Sequence, residues 1–278
     1  MVTGYYPKTI SEACMLRRDL TDTMLVAGGS DIMVVKKKAA NPIFINGIEE
    51  LQGVKLEDGV LTIGAGVAYV DLLANGLIPN VLKKAIRNIA SPAIRSVGTM
   101  GGNICNASPA GDTIPVLYAL SAIVVKGKVT KEGELQETRL PIEEFIQGIR
   151  KIALQDDELV LAIEIPTASY EGMTKIMYEK VGARKSEAIS KLSFVGLMKV
   201  EDEIITDVRI AFGAVSVTAV RRNELEQQLI GRNIADLASL REGIVASYAD
   251  YICPIDDQRS TANYRKTVSI NLLNAFLS

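Results

Sequence analysis

Two glycine pairs, each set against apolar sequence, constrain this chain more than any other feature. The first, Ala27-Gly28-Gly29-Ser30-Asp31, follows the short apolar run Met24-Leu25-Val26. The second lies in Ser96-Val97-Gly98-Thr99-Met100-Gly101-Gly102-Asn103 and opens a stretch to Asp112 rich in Gly, Asn and Ser. Adjacent glycines carry no Cβ, so consecutive backbone amides can converge on one point and hold an anion without Lys or Arg. Ser30 and Thr99 add hydroxyl donors, and Asn103 adds an amide. Two such turns could grip a diphosphate from opposite sides; the plainer reading makes each pair only a tight turn. The 96–112 stretch is too rich in Gly and Asn for a regular helix or strand. It is also too weakly charged for a solvated linker, so it reads as a structured loop.

The flanking pattern alternates short apolar runs with turns. Ile10–Leu20, after the potential caps Thr9 and Ser11, reads as a helix. Strands are expected at 24–27 and 43–46, with a helical turn at 32–38 between them. Asp58-Gly59 between two apolar runs predicts a tight hairpin over 54–63. Helices are expected at 70–74, 81–90 and 113–120, with Pro115 tolerable only in a first turn. Strand-like runs follow at 122–126 and 159–165. Pro166 to Gly172 marks the best boundary in the chain. Beyond it an antiparallel meander over 175–181, 193–200 and 208–212 precedes helices at 220–230, 234–251 and 268–277. That boundary divides the chain into domains at 1–168 and 169–278; the family resemblance given below implies the α+β class and subdomains of about 1–52 and 53–168.

What is missing narrows the chemistry. None of the 278 residues is His, which removes Ser-His-Asp and Cys-His catalysis and any imidazole metal site. The three Cys, at 14, 105 and 253, are too few and too scattered for an iron–sulfur cluster, and they suit a reducing cytoplasm. Lys plus Arg is 31 against 33 Asp plus Glu, so a net charge of −2 predicts neither a nucleic-acid nor a membrane partner. The N-terminal segment lacks the charged-then-apolar run of a signal peptide. Gly64-Ala-Gly66-Val-Ala-Tyr69 begins like a dinucleotide fingerprint but ends in Tyr where the third glycine belongs. A Gly-Lys-Ser/Thr phosphate loop is absent. No catalytic side chain and no metal ligand are expected; chemistry depends on a bound organic cofactor, or the chain is a binding module.

Four segments, in order along the chain, carry a resemblance. They are Val26-Ala-Gly-Gly-Ser-Asp31, Thr99-Met-Gly-Gly-Asn through Asp112, Tyr178-Glu-Lys-Val-Gly-Ala-Arg184 with Ala188-Ile-Ser190, and Asp256-Asp-Gln-Arg-Ser-Thr-Ala-Asn-Tyr-Arg265. The chain resembles the FAD-binding (medium) subunit of the molybdenum hydroxylases, of xanthine dehydrogenase and carbon monoxide dehydrogenase type. The resemblance implies a two-subdomain FAD-binding fold of the vanillyl-alcohol oxidase/cresol methylhydroxylase kind plus a smaller C-terminal α+β domain. It implies that Ala27, Gly28, Gly29, Ser30, Asp31 and Ile32 lie along the FAD pyrophosphate. Thr99, Gly101, Gly102, Asn103, Cys105, Ser108 and Asp112 would serve the phosphate, ribose and adenosine side, with Val160 near the adenine and Lys180 near the flavin. Where some members place an aromatic against the flavin ring, this chain has Ile89.

The implied function is electron transfer: electrons arrive from an iron–sulfur subunit, after substrate oxidation on a molybdopterin subunit, and leave to NAD or another acceptor. A non-catalytic nucleotide- or phosphate-binding module, and a stand-alone FAD-dependent reductase, are the alternatives. Read without the resemblance, Lys180 is an ordinary strand lysine, Asp112 a cap for the helix after it and Cys105 a small buried residue. Arg259 and Arg265 read as structural ion-pairing groups.

Overall fold

The computed structural model describes residues 3–36, 38–184 and 187–278. Two compact units share the chain, each discontinuous. The first takes residues 1–78, 91–107 and 122–165; the second takes 79–90, 108–121 and 166–278.

In the first unit, α1 (Ile10–Asp19) starts where Thr9 Oγ1 accepts the Glu12 amide at 3.1 Å. Its buried face is Ile10, Ala13 and Cys14, the i, i+3, i+4 stripe of an amphipathic helix. Strands β1 (Thr23–Val26) and β2 (Asn41–Phe44) pair in parallel with Val26 opposite Phe44. They are joined through the Gly28-Gly29 turn and α2 (Ser30–Val35). The turn expected at 32–38 thus begins two residues earlier, and Lys37 within it lies outside the described residues.

The second sheet of this unit has five strands in the order β3 (Val54–Glu57), β4 (Val60–Gly64), β9 (Leu159–Pro166), β5 (Ile123–Val129), β6 (Leu135–Pro141). The β3–β4 hairpin forms as expected, with both turn residues left-handed: Asp58 at φ +49° and Gly59 at φ +74°. Short helices α3 (Tyr69–Ala74), α5 (Pro92–Arg95), α6 (Met100–Asn106) and α8 (Ile142–Phe145) and the small hairpin β7 (Ile146–Gly148)–β8 (Lys151–Ile152) complete the unit. One face of α1 packs on Val125, Val129, Leu159 and Leu161 together with Ile43, Ile45, Ile48 and Leu51.

Helix α6 corrects the sequence reading, which makes 96–112 a loop throughout. Thr99 Oγ1 accepts the Gly102 amide at 3.0 Å, and this cap starts a helix despite two interior glycines. Ala107, at φ +45°, ends it.

In the second unit, β10 (Lys175–Val181), β11 (Leu192–Glu201), β12 (Ile204–Gly213) and β13 (Val220–Arg221) form an antiparallel sheet in sequence order. Against it pack α4 (Asn80–Arg87), α7 (Ile114–Ala119), α10 (Leu237–Ala249) and α11 (Ala262–Phe276). The core gathers Phe194, Phe212 and Phe276, with Phe194 edge-on to both other rings at 5.1 and 5.8 Å. The helix expected over 220–230 is instead β13, a turn and the single turn α9 (Asn223–Glu226). Glu226 accounts for the break: it is buried, its carboxylate takes Arg221 of β13 at 2.9 Å, and it accepts the Ile210 amide at 2.7 Å.

Candidate functional site

The first unit brings the two glycine turns together. Val26 ends β1, and the chain must leave the carboxyl end of a parallel strand pair, the usual place for a ligand crevice. Gly29 takes φ +67°, a left-handed conformation that a glycine adopts without strain. Gly28 has a different role. A Cβ there would run into the carbonyl group of Val97, so the missing side chain lets the 27–32 turn lie directly on the 96–98 backbone.

Between them opens a cavity of about 330 Å³, lined by Gly28, Asn46, Gln52, Ala68, Ser96 and Thr99 among others. Among the described residues, the amides of Gly28, Gly29, Ser30, Asp31 and Ile32 have no protein acceptor, although all five residues are half-buried. Ser30, Asp31 and Ile32 open α2, where a helix offers its leading amides no acceptor, and with Gly28 and Gly29 they make a run of donors that suits an oxygen-rich anion. Asp31 is held by Arg150 Nη1 at 3.3 Å, which places a guanidinium beside the same turn.

The second turn does not work as the glycine pattern suggests. Of its four leading amides, Met100 donates to Val67 O at 3.3 Å and Gly101 to Ala65 O at 3.0 Å. Gly102 donates to Thr99 Oγ1 and Asn103 to Thr99 O at 3.1 Å. All four are committed within the protein, so they form no open nest. Gly101 is buried, and a Cβ on it would lie 2.6 Å from Ala65 O and 2.7 Å from Ala65 Cβ. Its bareness seats α6 on the turn after β4 and makes no room for a ligand. Gly102 is exposed and faces its own cap.

Cys105 follows on α6, where burial pushes its thiol up to about 12 and keeps it neutral. Val160 is buried in β9.

In the second unit Asp112 and Lys180, 68 residues apart, meet at 2.6 Å. Their side chains are only 8% and 6% exposed, so neither reading from the bare sequence survives: Lys180 is not solvated and Asp112 caps nothing. Lys180 Nζ also donates to Asn88 O at 2.7 Å, and Ser190 Oγ donates to the other Asp112 oxygen. Burial pushes the Asp112 carboxyl up, while the Lys180 ammonium and the Ser190 hydroxyl pull the other way. Tyr178, on the same face of β10 as Lys180, has a buried hydroxyl with no partner among the described residues. Ser108 shapes the turn before Asp112 by accepting the Gly111 amide on its carbonyl at 2.9 Å. Ser190, Tyr178, Asn46, Gln52 and Arg150 are absent from the sequence-derived site. Tyr178 and Ser190 lie inside a segment that carries the resemblance; Asn46, Gln52 and Arg150 lie outside all four.

Arg265 and Arg259 both pair with Asp257, at 2.6 and 3.1 Å, as structural ion pairs. Among the described residues no cluster of His, Cys, Asp and Glu could hold a metal, and no helix is long and apolar enough to cross a membrane.

Residues 1–168 match the family described as FAD binding domain in molybdopterin dehydrogenase, and residues 177–278 match the CO dehydrogenase flavoprotein C-terminal domain. The chain is 34% identical over 240 residues to the caffeine dehydrogenase subunit beta of Pseudomonas sp. (strain CBB1), covering 83% of this chain and 78% of that one. It is 29% identical over 283 residues to the carbon monoxide dehydrogenase medium chain of Hydrogenophaga pseudoflava, covering 98% and 94%. A solved structure of carbon monoxide dehydrogenase from the same organism superimposes with a TM-score of 0.88 at 24% identity, over 99% of this chain and 96% of that chain.

Proposed function

The chain belongs to the FAD-binding subunits of the molybdenum hydroxylases, and from that membership we propose that it is the electron-transfer subunit of a multi-subunit dehydrogenase. Electrons would reach it from an iron–sulfur subunit, after substrate oxidation on a molybdopterin subunit, and leave to NAD or another acceptor. Bound FAD supplies the redox chemistry; the protein's part is to bind, orient and tune it.

One observation carries this reading: among the described residues the amides of 28–32 have no protein acceptor, on a turn whose Ala27 and Gly28 line a cavity in the first unit. They offer fixed dipoles to a diphosphate with no side-chain cation required. Ala27, Gly28, Gly29, Ser30, Asp31 and Ile32 would hold the pyrophosphate, and Thr99 would face it across the cavity. Gly102, Asn103, Cys105, Ser108, Asp112, Val160 and Lys180 remain proposed cofactor neighbours on the resemblance. Gly101 leaves the set because its role is packing. No residue is needed as acid or base, which suits a chain without His.

The finer fold assignment, a vanillyl-alcohol oxidase-type domain at 1–168 with subdomains about 1–52 and 53–168 and a C-terminal domain at 169–278, belongs to the same proposal. The separate β1–β2 pair and five-stranded sheet support it. Three free thiols support a cytoplasmic location.

The test is the absorption spectrum of the purified chain, followed by release and identification of its cofactor. A flavin spectrum bleached by dithionite, with stoichiometric FAD, is expected. A colourless protein whose melting temperature rises with a nucleotide but not with FAD would replace this reading with the nucleotide-module alternative. Native mass spectrometry from the source organism should show an iron–sulfur and a molybdopterin chain bound. Flavin bleaching by NADH would identify NAD as the acceptor.

A further inference from the structure

Two side-chain amides line the cavity without belonging to either glycine turn. Gln52 follows the single 3₁₀ turn Glu49–Leu51, and its backbone is fixed on both sides. Its own amide donates to Glu49 O at 2.9 Å, the Gly66 amide donates to Leu51 O at 2.9 Å, and the Gly64 amide donates to Gly53 O at 3.0 Å. Leu51 is fully buried beneath it. The carboxamide lies over Gly66, where a Cβ would come within 2.6 Å of Gln52 Nε2 and within 3.1 and 3.2 Å of Leu51.

Asn46 stands at the carboxyl end of β2, directly after Ile45, whose amide donates to Val26 O at 2.9 Å beside the 27–32 turn. Neither carboxamide has a hydrogen-bond partner among the described residues, and both line the cavity with Gly28 and Thr99. A carboxamide donates two hydrogen bonds and accepts others, so it can serve both phosphate oxygens and sugar-alcohol hydroxyls.

We propose that Gln52, with Asn46 beside it, recognises the diphosphate and ribityl stretch of FAD, and that Gly66 is bare so that the Gln52 carboxamide can reach it. This rests on the FAD reading above and adds two residues to it. The backbone amides of 28–32 supply fixed dipoles; Gln52 and Asn46 supply adaptable polar groups lining the same cavity.

The full chain, stripped of cofactor, is titrated with FAD by fluorescence, and its melting temperature is measured separately. Gln52→Ala should weaken FAD binding about 10- to 100-fold, the range for one hydrogen bond to a charged group. Gln52→Glu should weaken it further by placing a carboxylate against the diphosphate. Asn46→Ala should show a smaller loss. Gly66→Ala displaces the Gln52 carboxamide, so the Gln52→Ala/Gly66→Ala pair should bind no worse than the weaker single variant, whatever Gly66→Ala costs in melting temperature. Gln52 is exposed and its carboxamide has no hydrogen-bond partner among the described residues, so both Gln52 variants should fold. If Gln52→Ala and Gln52→Glu bind FAD within about twofold of a wild type that binds it stoichiometrically, the Gln52 assignment falls and the FAD reading stands. Should the wild type fail to bind FAD, both fall.

Discussion

Gly28→Ala and Gly29→Ala are neighbouring changes of equal size, and the structure predicts opposite outcomes for them. At Gly29 the φ of +67° is strained for alanine, but the nearest atom to a Cβ is Val26 Cγ1 at 3.7 Å, so the methyl has room. The cost is conformational, about 1–2 kcal/mol. With a melting shift of about 2–4 °C per kcal/mol for a chain somewhat smaller than this one, Gly29→Ala should melt roughly 2–8 °C lower. Its amides stay in place, so FAD affinity should fall less than about tenfold.

At Gly28 the methyl would meet the Val97 carbonyl, which is backbone and has no rotamer to escape into. The 96–98 turn is itself pinned, since the Gly98 amide donates to Ile94 O at 2.7 Å and the Tyr69 amide to Gly98 O at 2.9 Å. The 27–32 turn must therefore move. Overpacking costs about 1–3 kcal/mol in stability. Moving the turn misaligns its amides, and losing two charge-assisted bonds at about 1.5–3 kcal/mol each lowers affinity by about 100-fold or more. Fluorescence titration with FAD on both variants, beside calorimetric melting, reads the two quantities separately. A Gly28→Ala protein that binds FAD as tightly as Gly29→Ala would refute the claim that backbone contact at Val97 sets the turn.

Three further perturbations probe the rest of the chain. Asp112→Ala leaves the Lys180 ammonium buried and unpaired, which should cost about 3–5 kcal/mol and be visible as a melting temperature roughly 6–20 °C lower. Gly196→Ala puts a Cβ 2.5–2.7 Å from the Phe276 ring in the second unit's core, so stability should fall by about 1–3 kcal/mol while FAD affinity stays unchanged. Burial tends to raise Asp257, but the Arg259 amide, the Arg265 guanidinium and the Ser260 amide outweigh it and hold the carboxyl at about 2. A carboxyl lowered on folding contributes stability that is complete above its unfolded pKa, about 3.9, and drains away as pH falls toward 2. The melting-temperature gap between wild type and Asp257→Asn should therefore be widest near neutral pH and shrink below pH 4; a gap constant with pH would show that Asp257 acts by packing.

Elements with a local cause were legible in the sequence, and those with a distant cause were not. Thr9 caps α1, and Asp58-Gly59 turns the first hairpin, because each depends only on residues three or four positions away. Strand β6 escaped notice because it is a largely exposed edge with no apolar alternation, defined only by pairing with β5. Ser91-Pro92 is a local signal of the same kind for α5, with a serine cap and a proline at the first helical position. The Lys180–Asp112 pair joins residues that no local pattern connects.

The glycine pairs show the same limit at the site itself. Both look alike on paper, and what a glycine pair offers a ligand depends on where its amides already point. Ala65 and Thr99 use up the amides of the second pair, whereas among the described residues no acceptor comes to the first. Half of that difference lies outside both motifs, in the Ala65 carbonyl that takes the Gly101 amide, and half in the Thr99 cap that takes Gly102. A motif of bare residues therefore states that backbone can come close; only the acceptors around it decide whether the approach is to protein or to ligand.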